Sequence, residues 1–167
     1  MNLVQQRLTV ADGFEKETST TPKYNVGCEI TVCADGVSIP TTYKYIQATA
    51  ALTANVPYVL VEKADTIGTA SAATSAVAKM IGIPQVAIAK DAYGFVAVKG
   101  LCKAATGIQA KGDTLEVINS GVTLIVDGSS GSPAETANTV AISAEAAAAA
   151  ATVTVNLLGK RVAIAAS

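Results

Sequence analysis

The chain has 167 residues; half are hydrophobic, 4 % are aromatic and 15 % are charged, and the formal net charge is −1. At ~100–200 residues per domain this is one domain, or one domain with an arm, large enough to bury a core without a disulfide or a metal. The charge balance leaves no basic stripe for nucleic acid. No apolar run approaches the ~18–20 residues of a membrane span, and the opening stretch to Arg7 lacks the basic-then-apolar order of a signal peptide. There is no His and no Trp, which removes the common catalytic triads, most catalytic zinc sites and the usual base near neutral pH. The composition points away from an enzyme.

Residues 1–40 have their own texture. Leu3, Val4, Leu8 and Val10 are sparse apolar anchors, Asp12-Gly13 is a turn signal, and the stretch from Glu15 to Pro22 is polar. This reads as an extended arm with a loop. One strand is expected from Val26 to Cys33, closed by Ala34-Asp35-Gly36, and Pro40 marks a boundary. Cys28 and Cys33 fall on opposite faces of such a strand, and with Cys102 the cysteines are odd in number. They read as reduced thiols acting as small hydrophobes, holding no metal and no disulfide, in a protein made in a reducing cytoplasm.

From Tyr43 onward short apolar runs alternate with turn signals. Strands are expected at Tyr43–Thr49, Tyr58–Glu62, Ile83–Ala89, Gly94–Gly100, Thr114–Ile118, Val122–Val126, Thr139–Ser143, Thr152–Leu157 and Arg161–Ala165. Such spacing indicates a sandwich or barrel. The clearest alternation puts Val153, Val155 and Leu157 inward and Thr152, Thr154 and Asn156 outward. Two stretches break the pattern. Thr69–Ala78 reads as a loop or one or two helical turns, and Ala144–Ala151 as a short helix leaning on the core, since Ala is the best helix former.

No motif carries chemistry. Gly128-Ser129-Ser130-Gly131-Ser132-Pro133 lacks the Gly-Lys-Ser/Thr of a phosphate loop and reads as a hairpin tip. Asp35, Asp91, Asp113 and Asp127 sit in turn clusters, where the carboxylate bonds its own backbone. Ser71, Ser75, Ser120 and Ser129 have no base to activate them. Tyr93-Gly94-Phe95 is the one aromatic cluster of note; it is either a packing anchor of the core or part of a protein interface.

Taken in order, several stretches resemble the decoration, or cement, proteins of tailed-phage capsids. They are the apolar-aromatic run from Tyr43 to Leu52, the valine run from Val59 to Asp65, and Ile81-Gly82-Ile83-Pro84-Gln85-Val86-Ala87. Tyr93-Gly94-Phe95-Val96-Ala97-Val98-Lys99-Gly100 follows, then Lys111-Gly112-Asp113-Thr114-Leu115, Val140 to Ala146, and the final Val-x-Val-x-Leu strand. Ala141 departs from the pattern, which often has Gly there, and residues 1–40 have no counterpart in it.

The resemblance implies a small β-barrel or β-sandwich; with the reading of the residues above, the expectation is an all-β protein with a barrel or sandwich over residues 41–167, residues 1–40 as an N-terminal arm, and one or two short helical turns. The resemblance also implies a virion protein on the outer capsid surface that clamps adjacent major capsid subunits, usually as a homotrimer, without catalysis or cofactor and with no small-molecule substrate, nucleic acid or membrane as partner. A tail or fibre module that binds a host glycan or receptor is the alternative. The candidate interface residues are Leu3, Val4, Leu8, Val10, Tyr24, Tyr93 and Phe95. Leu8 and Val10 flank Thr9 as in a strand that adds to another sheet, so the arm is expected to hold the protein to its partner; packing across its own barrel or a sister subunit is the other reading. On the first view, deleting residues 1–24 leaves a folded barrel.

Overall fold

The computed structural model of the chain describes residues 13–33, 36, 38–61, 66–67, 80–117, 123–126 and 138–161. A 3-10 turn at Phe14–Lys16 precedes β1 (Thr18–Ser19), β2 (Glu29–Val32), β3 (Thr41–Ala48), β4 (Tyr58–Val61), β5 (Thr66–Ile67) and β6 (Ile81–Pro84). Then come β7 (Tyr93–Thr106), β8 (Thr114–Val117), β9 (Leu124–Val126), β10 (Ala141–Ser143) and β11 (Ala151–Leu157). The protein is all-β, as the strand alternation and turn spacing lead one to expect.

The long strand β7 belongs to two closed rings. Its first half pairs with β3 and β6; β6 pairs with β4, β4 with β5, and β5 returns to β3 in parallel. Its second half pairs with β11; β11 pairs with β10, β10 with β8, β8 with β9, and β9 returns to β7 in parallel. Each ring is a five-stranded barrel, and the two have the same connectivity. β3, β4, β5, β6 and the start of β7 play the parts that the end of β7, β8, β9, β10 and β11 play in the second. The isolated bridges repeat too: Leu52 with Ile88 in the first barrel, Gln109 with Ala147 in the second. The fold is a tandem repeat of one barrel, with β7 as the last strand of one unit and the first of the next.

Gly100 makes the shared strand possible. Its φ is +86°, and a Cβ there would lie 2.0 Å from the Pro40 carbonyl oxygen. A left-handed, closely approached position excludes every residue with a side chain. Just before it, the β3–β7 register shifts by a bulge, since Thr42 faces Lys99 while Tyr43 faces Ala97. Bulge and glycine together bend the strand from one barrel into the other.

Alternation fills both barrels. Ile46, Ala48, Leu52, Tyr58, Leu60, Ile88, Ala92, Val96 and Val98 form the interior cluster of the first. The second is filled by Cys102, Ala104, Leu115, Val117, Leu124, Ala141, Val153, Val155 and Leu157. That second cluster runs on into Tyr43, Tyr45, Val59, Ile81, Ile83, Phe95 and Ala97, the opposite faces of β3, β4, β6 and the start of β7. One continuous apolar body therefore fuses the two barrels, and burial of this kind is the main favourable term in folding.

Three expectations are corrected. First, the described part of residues 1–40 is not a separate arm. Phe14 is 4 % exposed, Tyr24, Val26, Cys28, Ile30 and Val32 pack on the same core, and β2 pairs along β3 across the boundary at Pro40. The sparse apolar residues of this stretch have a ready-made face to cover, so they need no core of their own. Second, Ala144–Ala151 forms no helix. Ala147 exchanges backbone hydrogen bonds of 2.9 and 3.0 Å with Gln109, the Ala144 amide bonds the Thr154 carbonyl, and Ala151 begins β11. Helix propensity is a weak prior, and cross-chain backbone partners override it here. Third, β7 extends through Gly100 to Thr106 instead of stopping there. Thr69–Ala78 and the Gly128–Pro133 stretch lie outside the described residues, as does the expected Arg161–Ala165 strand beyond Arg161.

Candidate functional site

The chain has five Tyr and two Phe, and all but Tyr58 meet on one outward face of the first barrel. Phe14 sets its ring edge against Tyr43 at 5.4 Å and against Phe95 at 4.9 Å. Tyr24 lies 5.2 Å from Tyr45 and 5.3 Å from Phe95, Tyr45 lies 4.9 Å from Phe95, and Tyr93 stacks on Tyr45 at 6.1 Å. The Tyr45 hydroxyl accepts a 3.0 Å hydrogen bond from the Lys23 amide. Strand alternation puts Tyr43 and Tyr45, and likewise Tyr93 and Phe95, on this face; the stretch from Phe14 to Val32 then closes over them.

The sequence-level candidates divide accordingly. Phe95 is 1 % exposed and packs its ring on Phe14, Tyr24 and Tyr45 within the core. Tyr24 and Tyr93 are half-buried on the rim of the cluster, each with one part open. Leu3, Val4, Leu8 and Val10 lie outside the described residues. Phe14, Tyr43 and Tyr45 were missed as members of the group. The signal was present in Tyr43-x-Tyr45, whose spacing of two mirrors Tyr93-x-Phe95 on the strand that pairs with it.

An open groove of about 390 Å³ runs beside this face, lined by Pro22, Lys23, Tyr24, Asn25 and Cys28. Lys23 and Glu17 form an exposed ion pair of 3.0 Å, and the hydrogen bond to Glu17 raises the lysine pKa. Burial pushes the half-buried Cys28 thiol up as well, with the Glu29 charge adding to it. A smaller groove of about 190 Å³ lies at the waist between the barrels, lined by Ile39, Pro40, Lys99, Gly100, Asn156, Leu157 and Leu158.

The waist is held by polar contacts on the outer side of β7. Gln85 donates to the Lys103 carbonyl at 3.1 Å and accepts from the Lys103 amide at 3.0 Å. The Asn55 carbonyl accepts from the Ala105 amide at 2.7 Å. On the second barrel Glu145 also reaches Lys103. Its carboxyl is held below the usual range, first by hydrogen bonds from Thr154 and then by Lys103, whose Nζ lies 3.3 Å away. Beside it Ala146, Ala148, Ala149 and Ala150 are exposed.

The ionisable groups of the interior are thiol and phenol. Burial pushes Cys102 up to about 12 and, as the leading cause, Tyr43 to about 12. Such groups stay neutral and unreactive. Among the described residues no group of three or more His, Cys, Asp and Glu side chains could hold a metal ion. Asp113 does what its turn position suggests, accepting a 2.7 Å hydrogen bond from the Ala110 amide.

No family model matches the chain, and no curated protein matches it. Among solved structures it is similar to the head fiber gp8.5 N base of bacteriophage phi29. The identity is 15 %, the match covers 72 % of this chain and 97 % of that one, and the TM-score is 0.47. A likeness at that level carries no functional argument, and the barrel assignment stands on the strand pairings themselves.

Proposed function

We propose that the protein is a structural component of a phage virion, seated on the outer capsid surface as a homotrimer and clamping adjacent major capsid subunits, without catalysis. The supporting observation is the sequence resemblance to decoration proteins joined to the strand map. Each stretch that carries the resemblance starts, contains or ends in a strand of its own: Tyr43–Leu52 in β3, Val59–Asp65 in β4, Ile81–Ala87 in β6, Tyr93–Gly100 in β7, Lys111–Leu115 in β8, Val140–Ala146 in β10, and the last in β11. A tandem barrel with a shared strand is a stiff unit, and its outward Ala and Thr side chains lose little rotamer freedom against a neighbour. Both properties suit a clamp. The test is co-sedimentation of the purified protein with particles that lack it. Saturable binding at a fixed ratio to the major capsid protein supports the reading, and no binding overturns it.

One feature favours the second reading, a fibre module for a host glycan. The groove at Pro22–Cys28 offers the half-open Tyr24 ring beside the exposed Lys23 and Asn25, an apolar face with hydrogen-bonding groups that suits a sugar. Binding to a glycan array that is lost on Tyr24→Ala would select it.

A further inference from the structure

The two barrels differ at one edge. In the first, β1 pairs with the start of β7, Thr18 opposite Gly94 and Ser19 opposite Tyr93. The equivalent residues of the second barrel follow from the ladders. Ala48 donates its amide to the Ala92 carbonyl, accepts from the Asp91 amide and pairs in parallel with Ile67. Thr106 faces Ala151 and pairs in parallel with Leu124. Ala48 and Thr106 are both inward and fully buried, so Ala92 corresponds to Ala151, and Tyr93 and Gly94 correspond to Thr152 and Val153 at the start of β11. Among the described residues no strand pairs with that edge of β11, and Ala151 and Thr152 are both exposed.

The edge is suited to an added strand. The Thr154 carbonyl points to the β10 side, where it accepts from the Ala144 amide. Backbone groups two residues apart in a strand point the same way, so the Thr152 N–H and C=O face the bare edge. Neighbouring side chains are small: Ala146, Ala148, Ala149 and Ala150 present only methyl groups, which cost no rotamer entropy when covered. The packing beneath is conserved in volume between the barrels. In the first, Ile88 fills the space at Gly94, where a Cβ would come within 2.8 Å of its Cδ1. In the second, Ala147 stands at the Ile88 position and the buried Val153 at the Gly94 position. The second site is thus a filled platform of the same form.

We infer that this edge takes an extended segment from a second copy of the chain, residues 1–12 of that copy. The first barrel supplies the argument for the occupant. Its added strand comes from the chain just ahead of the repeat. Ahead of the second repeat stands the first barrel, already folded, so a segment in the same relation has to come from elsewhere. In a second copy, residues 13–33 are committed to that copy's own aromatic face, which leaves residues 1–12. Extended at ~3.3–3.6 Å per residue they reach about 40 Å. Leu8-Thr9-Val10 alternates as a short added strand requires. The contact joins unlike surfaces, so repeated around an axis it closes a ring, in keeping with the trimer of the proposed function. The inference rests on the barrels and not on the virion reading.

The test is sedimentation velocity of the full chain, of Thr152→Pro, and of a variant lacking residues 2–12. Proline removes the outward N–H without touching the β7 ladder. The full chain should associate, and both variants should sediment as monomers with unchanged circular dichroism. If Thr152→Pro fails to fold, Thr152→Lys places a charge on the edge instead and should give the same monomer. In a Cys33→Ser background, Thr9→Cys and Thr152→Cys on separate chains should form a mixed disulfide on oxidation. A full chain that stays monomeric at several hundred micromolar, or an oligomer untouched by both changes, overturns the inference. So does an oligomer lost on removing residues 162–167 but not residues 2–12. These results are read without capsids, so they leave the particle-binding test independent.

Discussion

Replacing Phe14 by Ala tests whether the stretch before β3 belongs to the barrel. Its ring is 4 % exposed and meets Tyr43 and Phe95 edge-on at 5.4 and 4.9 Å. Truncating a buried Phe to Ala costs ~3–5 kcal/mol, of which each aromatic pair supplies roughly 0.5–1.5 kcal/mol. Against a total stability of ~5–15 kcal/mol this is a large share. Urea unfolding followed by tyrosine absorbance should show a lower midpoint with an unchanged slope, as expected when the native state is weakened without being expanded. A double-mutant cycle with Phe95→Leu should return a coupling of ~0.5–1.5 kcal/mol, because the two rings touch. A loss below ~1 kcal/mol, or no coupling, would mean that Phe14 leaves the core readily and that the segment is a detachable arm after all.

Other outcomes follow from the same packing. At a dilution where the full chain is monomeric, deleting residues 2–12 should leave the melting temperature nearly unchanged, whereas deleting residues 1–24 should lower it sharply or prevent folding, since it removes Phe14, β1 and Tyr24; differential scanning calorimetry distinguishes the two. Gly100→Ala should destabilise by more than the ~1–2 kcal/mol of a left-handed residue, because its Cβ also meets Pro40; chemical denaturation reads the difference. Cys102 and Tyr43 have pKa values raised from 9.0 and 10.0 to about 12, so the unfolded chain loses these protons first as pH rises. Their contribution is complete below pH 9 and should be lost as pH climbs from 9 towards 12, with Cys102→Ala flattening the decline. At pH 8 in native buffer, a thiol reagent should modify the exposed Cys33 well before the buried Cys102.

Much of this fold was legible in the residues. The period-two alternation of Thr152–Leu157 gave both the strand and its inward face, because burial on one side of a pleated strand leaves that mark directly in sequence. The strands at Tyr43, Tyr58, Thr114 and Thr139 were found for the same reason, with ends displaced by a residue or two. The duplication was not legible. It resides in the order of pairing, while Ile88 and Ala147, or Gly94 and Val153, keep a joint volume and not an identity. The long course of β7 was hidden by Gly100, which in isolation reads as a terminator; only the approach of Pro40 shows that it is a bend. The poly-alanine stretch misled because propensity speaks for an isolated segment, whereas Gln109 supplies backbone partners from outside it. Of the candidate site, Tyr24 and Tyr93 were found at the surface rim, but Phe95 could not be told from them, since burial by a stretch some seventy residues earlier leaves no local trace.

The most direct measurement is a cryo-electron microscopy map of phage particles carrying this protein, compared with particles from which its gene has been removed. Difference density outside the shell, sized for paired five-stranded barrels in groups of three and touching neighbouring major capsid subunits, is the expected result. A map in which the density lies only on a tail or fibre, or in which the two particles are identical, would contradict the assignment of the protein to the capsid surface.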